Sequence, residues 1–126
     1  LRAGNDFNDT HDDDPVGTYG TLLEAVNPLG LAYLHLIRMK TPRIHGLELA
    51  RAHFRGPILL NDGLTPESAQ RYLDQGAAAA VSFARHFIGN PDLVRRLREG
   101  LPLAGFDRAT LYTPGPKGYI DYPALD

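Results

Sequence analysis

Cysteine is absent from this 126-residue chain. Its absence excludes disulfide bonds, zinc sites built on thiolates and a cysteine nucleophile, and it leaves the redox compartment open. A strong charge of either sign is also lacking, because 13 basic and 15 acidic residues leave a formal net charge of −2. We therefore expect neither nucleic acid nor an anionic membrane as a partner.

Targeting and membrane-spanning signals are lacking as well. The sequence shows no signal peptide and no apolar run approaching the roughly 20 residues that a membrane helix needs. A cytoplasmic location is therefore the default expectation. With 43% hydrophobic and 22% charged residues, the composition is typical of a soluble globular chain with one modest core.

The segment from Arg2 to Pro15 is polar and rich in aspartate. It carries Asp6, Asp9, Asp12, Asp13 and Asp14, with His11 among them. A metal-binding loop is one interpretation, but the segment lacks the glycine and the bidentate glutamate of the calcium-loop pattern. We favour an exposed acidic loop whose last aspartates stabilise the N-terminus of the following helix, and we expect no metal.

Helical and strand-like segments alternate after this loop. Apolar residues at helical spacing predict helices, and short apolar runs bounded by turn signals predict buried strands. The predicted order is helix 16–27, strand 31–37, helix 47–54, strand 57–61, helix 66–75, strand 77–83 and helix 91–99, with loops at 38–46 and 101–126. This alternation implies a parallel α/β sheet. Three strands suit part of a (β/α)8 barrel, which takes about 250 residues when complete.

Two places in this order could carry chemistry. His35 lies inside the predicted strand 31–37, where a core histidine satisfied by backbone is the default and a catalytic histidine is the alternative. In the stretch 81–93, a strand runs into Arg85, and Asn90, as N-cap, opens the following helix. The arginine and the helix N-terminus predict an anion site, whereas the alternative is an ordinary turn with a solvated arginine.

Five motifs resemble one enzyme family, and they occur in the family's order along nearly the whole chain. They are Phe7-Asn8-Asp9, Tyr33-Leu34-His35-Leu36, Asn61-Asp62-Gly63-Leu64-Thr65, Phe83-Ala84-Arg85 with the Gly89 to Leu97 segment, and Gly118-Tyr119-Ile120-Asp121-Tyr122-Pro123. The family is the old yellow enzymes, which are FMN-dependent ene reductases. The resemblance implies that residues 1–126 form the C-terminal part of a single TIM-barrel domain, with strands six to eight at 31–37, 57–61 and 77–84.

The resemblance also implies a set of binding residues. The FMN phosphate would lie at the ends of the last two strands, where such barrels commonly bind phosphate. Asp62, Gly63, Ala84 and Arg85 are the expected cofactor-binding residues, with Gly63 and Ala84 offering backbone N–H groups and Arg85 pairing with the phosphate. Phe7 and Tyr119 match positions that line the substrate pocket. Tyr122 and Asp121 are expected to hold the tail in place.

Three departures from the family pattern stand at or near these positions. Ala84 replaces a frequent glycine, Asp62 replaces a small neutral residue, and the segment Ile37-Arg38-Met39 stands where Glu-Pro is usual. A methyl group at position 84 would crowd the phosphate slightly. A carboxylate at position 62 is unfavourable beside a dianion unless it points away or pairs with a cation.

No residue of this chain is expected to be catalytic. In the resembling family, the side chains that grip the substrate carbonyl and the proton-donating tyrosine come from earlier strands. We therefore expect a companion polypeptide that carries the rest of the barrel, with NAD(P)H as hydride donor and a small activated alkene as substrate. A non-catalytic phosphate-binding half-barrel and a purely structural subunit are the alternatives.

Overall fold

The computed structural model describes residues 1–4, 9, 11–38, 40–41, 43–61 and 63–125. The chain divides into two compact units, Leu1–Ser82 and Phe83–Asp126. The first unit contains helices α1 (Pro15–Val26), α2 (Gly46–His53) and α3 (Pro66–Asp74) and strands β1 (Leu34–Ile37), β2 (Lys40–Thr41), β3 (Ile44–His45), β4 (Ile58–Asn61) and β5 (Ala80–Val81). The second contains helices α4 (Arg85–Gly89) and α5 (Leu93–Glu99).

A parallel three-stranded sheet forms the centre of the first unit. Its strand order is β1-β4-β5, and Leu36 of β1 lies beside Leu60 of β4. Both leucines are fully buried, and Ile58 on the same face of β4 is buried as well. Because side chains alternate across a strand, His35 and Asn61 point to the opposite face. The predicted parallel α/β class is confirmed.

Local capping chemistry sets where helices α1 and α3 begin. The side chain of Asp14 accepts a hydrogen bond from the Gly17 N–H at 3.0 Å, and Pro15 opens α1. At α3, Thr65 and Ser68 form a capping box, because each side-chain oxygen accepts the other residue's backbone N–H. The predicted helix start at Thr65 and the stabilising role of the last aspartates are both confirmed.

Several predicted strands are shorter in the structure than the apolar runs suggested. β1 begins at Leu34 rather than at residue 31, and Leu31 and Tyr33 are exposed. β5 contains two residues, although a strand was predicted over 77–83. The backbone N–H groups of Ala77 and Ala78 both donate to the Tyr72 carbonyl, so these alanines close helix α3 and do not pair with β4.

The predicted loop at 38–46 contains structure that the sequence did not suggest. β2 and β3 pair as a short antiparallel hairpin, with Lys40 opposite His45. Arg43 in this connection donates to the carbonyls of Asp12 and Asp13, at 2.6 and 3.1 Å. The basic connection therefore serves to hold the acidic segment that precedes α1.

The second unit corrects the predicted helix at 91–99. The helix α5 begins at Leu93, and Asn90 is the C-cap of the preceding short helix α4 rather than an N-cap. The Asn90 side-chain amide donates to the carbonyls of His86 and Ala104, and its oxygen accepts the Ala104 N–H at 2.7 Å. A residue 14 positions further on in the chain therefore decides the role of Asn90.

A buried ion pair between Asp92 and Arg96 connects helix α5 with two later segments of the second unit. Arg96 is 4% exposed, and its Nε donates to the Asp92 carboxylate at 2.7 Å while Nη1 donates to the Pro102 carbonyl. The second oxygen of Asp92 accepts the Leu125 N–H at 3.0 Å. Asp92 therefore forms hydrogen bonds both with Arg96 of helix α5 and with the end of the C-terminal tail at Leu125.

Candidate cofactor site

The turn after strand β4 carries Gly63, one of the expected cofactor-binding residues. Gly63 has a φ of +61°, a conformation that side chains rarely adopt, so glycine is strongly favoured at this turn. The residue is exposed, as a backbone donor for a ligand must be. Asp62, the neighbouring expected residue, lies outside the described residues.

Arg38, at the end of strand β1, is bonded to this turn at two points. Its backbone N–H donates to the Asn61 carbonyl at 2.9 Å, and its Nη2 donates to the Gly63 carbonyl at 3.2 Å. The guanidinium also donates from Nη1 to the Tyr72 hydroxyl at 3.0 Å, with its central carbon 5.5 Å from the Tyr72 ring centroid. From the sequence, Arg38 is apparent only as a departure from the family pattern, and no role is predicted for it.

Ala84 and Arg85 stand together at the beginning of helix α4 in the second unit. Ala84 precedes the helix with helical dihedral angles, and its carbonyl accepts the Phe87 N–H at 3.1 Å. Both residues are exposed. The structure therefore makes Arg85 the first residue of a helix, not the end of a strand as the sequence suggested. Gly63 belongs to the first unit.

Tyr119, an expected substrate-pocket residue, borders an open groove of about 600 Å³ in the second unit. The groove is lined by apolar and hydroxyl side chains together with backbone, including those of Phe87, Ile88, Thr110, Leu111, Thr113 and Tyr119. Tyr119 itself is 82% exposed. Phe7, the other expected pocket residue, lies outside the described residues.

The tail that presents Tyr119 is held by the residues expected to hold it. Asp121 accepts the Gly118 N–H at 2.7 Å, and the Tyr122 hydroxyl accepts the Asp107 N–H at 2.8 Å. Gly118 has a φ of +73°, and a Cβ at this position would overlap the Thr110 side chain. Position 118 therefore excludes side chains for two independent reasons.

A polar cluster on the sheet was missed by the sequence analysis. Asn61 Nδ2 donates to the Ser82 hydroxyl at 2.8 Å and to the Ser82 carbonyl at 2.9 Å, and His35 Nε2 lies 2.9 Å from the same hydroxyl. His35 is exposed and bonded to a side chain, so its interpretation as a core histidine satisfied by backbone is wrong. The alternation of β1 could have placed His35 opposite the buried Leu36.

Among the residues that the structure describes, two carboxyl groups have a pKa that is shifted from its ordinary value. The Arg96 hydrogen bond, supported by the Leu125 N–H, lowers the pKa of Asp92 below its ordinary value. The pKa of Glu67 is also lowered, mainly by its own backbone N–H and then by Thr65, in the first turn of α3.

Among the described residues, no three His, Asp or Glu side chains converge on a possible metal position. No helix in the described ranges is both long and apolar enough to cross a membrane.

The comparisons with known proteins give one consistent answer. No family model matches the chain. It is 37% identical over its whole length to the putative 12-oxophytodienoate reductase 10 of Oryza sativa subsp. japonica, covering 44% of that protein. It is 36% identical, over 96% of its length, to a probable flavin mononucleotide-dependent alkene reductase of Leishmania infantum, covering 34% of that relative.

A solved structure agrees with these relatives. The old yellow enzyme homologue from Zymomonas mobilis superposes with a TM-score of 0.91 at 37% identity, over 99% of this chain and 37% of that one. The chain belongs to the old yellow enzyme family and forms part of its (β/α)8 barrel. It spans less than half the length of the relatives it matches.

Proposed function

We propose that this chain is the flavin-phosphate end of an FMN-dependent ene reductase that takes hydride from NAD(P)H and reduces activated alkenes. The similarity to a probable FMN-dependent alkene reductase, 36% identity over 96% of the chain, carries this proposal. In this proposal residues 1–126 are one portion of a single barrel domain. A companion polypeptide or a further segment supplies the remaining strands.

The residues of the candidate site suit a phosphate in their chemistry. A phosphate dianion is bound by backbone N–H groups and by arginine, which offers planar, paired donors. Gly63 provides an exposed turn without a side chain, and Arg85 provides an exposed guanidinium at a helix start. Ala84 would add a backbone donor beside it, and we keep Asp62 as a proposed neighbour of the same group.

Bound FMN would supply the hydride transfer itself, while the protein supplies position and electrostatics. In our proposal Gly63, Ala84 and Arg85 hold the phosphate and thereby fix the depth of the flavin in the barrel. Tyr119, together with Phe7, forms one wall of the alkene pocket through packing and shape. No residue of the chain is assigned a proton transfer, so the groups that polarise the alkene come from the rest of the barrel.

The first test is whether the protein carrying this chain binds FMN through its phosphate. We expect a yellow protein that binds FMN more tightly than riboflavin, which lacks the phosphate. Arg85→Ala should raise the FMN dissociation constant about tenfold or more, because a hydrogen bond to a charged group contributes roughly 1.5–3 kcal/mol. Fluorescence titration with each flavin measures both constants.

The exposed Arg98 of helix α5 provides the matched control. Arg98→Ala removes the same charge from the same unit and should leave FMN binding unchanged. Equal affinity for the two flavins would reject the phosphate site. FMN binding without NAD(P)H-dependent alkene reduction in the complete protein would favour the non-catalytic phosphate-binding module.

A further inference from the structure

We propose that Arg38 is a positioning residue for the flavin-phosphate turn, an inference that rests on the proposed function. Arg38 is not a residue that the motifs point to, and it would not itself touch the flavin. Arg38 would fix the backbone of the turn at Gly63. The Gly63 N–H would then already have its binding orientation in the protein without phosphate. Preorganised donors bind an anion more tightly than donors that must first be ordered.

Arg38 binds the carbonyl groups on both sides of the peptide group that carries the Gly63 N–H. Its backbone N–H binds the carbonyl of Asn61, and its Nη2 binds the carbonyl of Gly63. These two carbonyls bracket the peptide group that carries the Gly63 N–H. Because each peptide group is planar, fixing the groups on both sides restricts the rotation that could redirect this N–H.

Arg38 is itself held in place by Tyr72. The guanidinium donates from Nη1 to the Tyr72 hydroxyl and lies over the Tyr72 ring, on helix α3. The planar fork of arginine can bind two acceptors at a fixed separation, which the single ammonium of lysine cannot do. Arg38 therefore connects three elements, strand β1, the turn after strand β4 and helix α3.

A competing explanation is that Arg38 acts only through its charge. It lines a groove of about 410 Å³ together with Gly63, Thr65, Ser68, Arg71 and Tyr72. A cation near a phosphate favours binding without any particular geometry. Arg71, which lines the same groove, and the charge-conserving Arg38→Lys variant separate charge from geometry.

The experiment measures dissociation constants for FMN and riboflavin in the protein that carries this chain, prepared without flavin. We expect Arg38→Met to raise the FMN constant about tenfold and Arg38→Lys about fivefold, with riboflavin affinity unchanged within about twofold. Tyr72→Phe removes only the hydroxyl that orients the guanidinium and should weaken FMN binding about threefold. Arg71→Met is the matched control and should leave both constants unchanged.

Each contrary result has a definite meaning. Equal losses of FMN and riboflavin affinity in Arg38→Met would overturn the positioning role and leave a general structural one. Wild-type affinity in Arg38→Lys would overturn it in favour of charge alone. If Arg38→Met does not fold, the FMN dissociation constant of Tyr72→Phe tests the inference instead. Unchanged FMN binding in that variant rejects the positioning role.

Failure of this inference is distinguishable from failure of the proposed function. If wild-type protein prefers FMN and Arg85→Ala abolishes that preference while the Arg38 variants retain it, only the role of Arg38 is wrong. If the wild-type protein shows no preference for FMN over riboflavin, the phosphate site and the role of Arg38 are rejected together.

Discussion

Asn90 shows how far a single residue can depart from the role that its neighbours in sequence suggest. The sequence Asn-Pro-Asp is typical of a helix start, yet the side chain of Asn90 is fully buried and bonded to residues on both sides of it. Its oxygen and its amide both bind Ala104, which gives the Ala104 peptide groups the partners that buried backbone requires.

Replacing Asn90 should therefore destabilise the folded protein. Asn90→Ala leaves the Ala104 N–H and two carbonyls without partners, and we expect it to lower the free energy of unfolding by about 3 kcal/mol. Asn90→Asp should be equally harmful, because a carboxylate would face two carbonyl oxygens. Urea denaturation of the protein that carries this chain, with the remaining barrel strands present, measures the loss, and the exposed Val94→Ala is the control. A loss below about 1 kcal/mol in both Asn90 variants would contradict this role.

Asp92 provides a pH-dependent contribution to stability. The Arg96 hydrogen bond lowers the pKa of Asp92 in the folded protein, so the unfolded chain binds the proton more readily. The stabilisation is therefore fully present above the unfolded pKa of about 4 and is lost as the pH falls through the lower folded value.

We expect Asp92→Asn to be destabilised relative to wild type at pH 7 and to approach wild type as the pH falls well below about 4. Thermal midpoints of the protein that carries this chain, with the remaining barrel strands present, are compared across this pH range. An equally large difference between the two proteins in acid and at neutral pH would show that the carboxylate charge is not the cause. Asp107→Asn, at an exposed capping residue of the tail, controls for general effects of removing one acid.

At the scale of elements, the parts predicted correctly were those encoded locally. Thr65 and Pro66 start α3 as expected, because capping acts within a single turn of the chain. The strand at 77–83 was too long because an apolar run does not reveal that Ala77 and Ala78 still bond to the preceding helix. The hairpin at β2 and β3 is two residues on each side, too short to give an alternating pattern.

In the candidate site, too, the residues that were predicted lie in local motifs, and the contacts that were missed join distant parts of the chain. Gly63, Ala84 and Arg85 could be named from sequence because they lie within recognisable motifs, and their role in phosphate binding stays a prediction. The Arg38–Tyr72 and His35–Ser82 contacts join residues 34 and 47 positions apart. Such pairs follow from strand register and helix packing, which no single segment of sequence contains.

At the scale of the molecule, the sheet of the first unit has two very different faces. Leu36, Ile58 and Leu60 are covered, whereas His35 on the opposite face is exposed in the described chain. β1 and β5 are the outer strands of this sheet. In a closed barrel the opposite face would be interior and the outer strands would be paired.

A polypeptide of these 126 residues alone should therefore associate or unfold easily. Leu1 bonds to His35 and Ile37 on the outer side of β1, but the remaining strand edges and the uncovered sheet face favour pairing with further chains. We expect a mass by light scattering that rises with concentration, and a broad thermal transition. Adding the remaining strands of the barrel should restore a sharp transition. A monomeric mass with a cooperative melt in the absence of other chains would contradict this expectation.

The glycine at position 118 has a consequence for laboratory evolution. Tyr119 stands at the groove and is mostly exposed, so many residues could replace it without disturbing the tail. Gly118 has no such freedom, because its backbone conformation and the Thr110 side chain both exclude a Cβ. Because we propose that Tyr119 lines the alkene pocket, a library intended to change substrate choice should vary position 119 and leave 118 untouched. Randomising both together would discard most of its members to misfolding before any were selected.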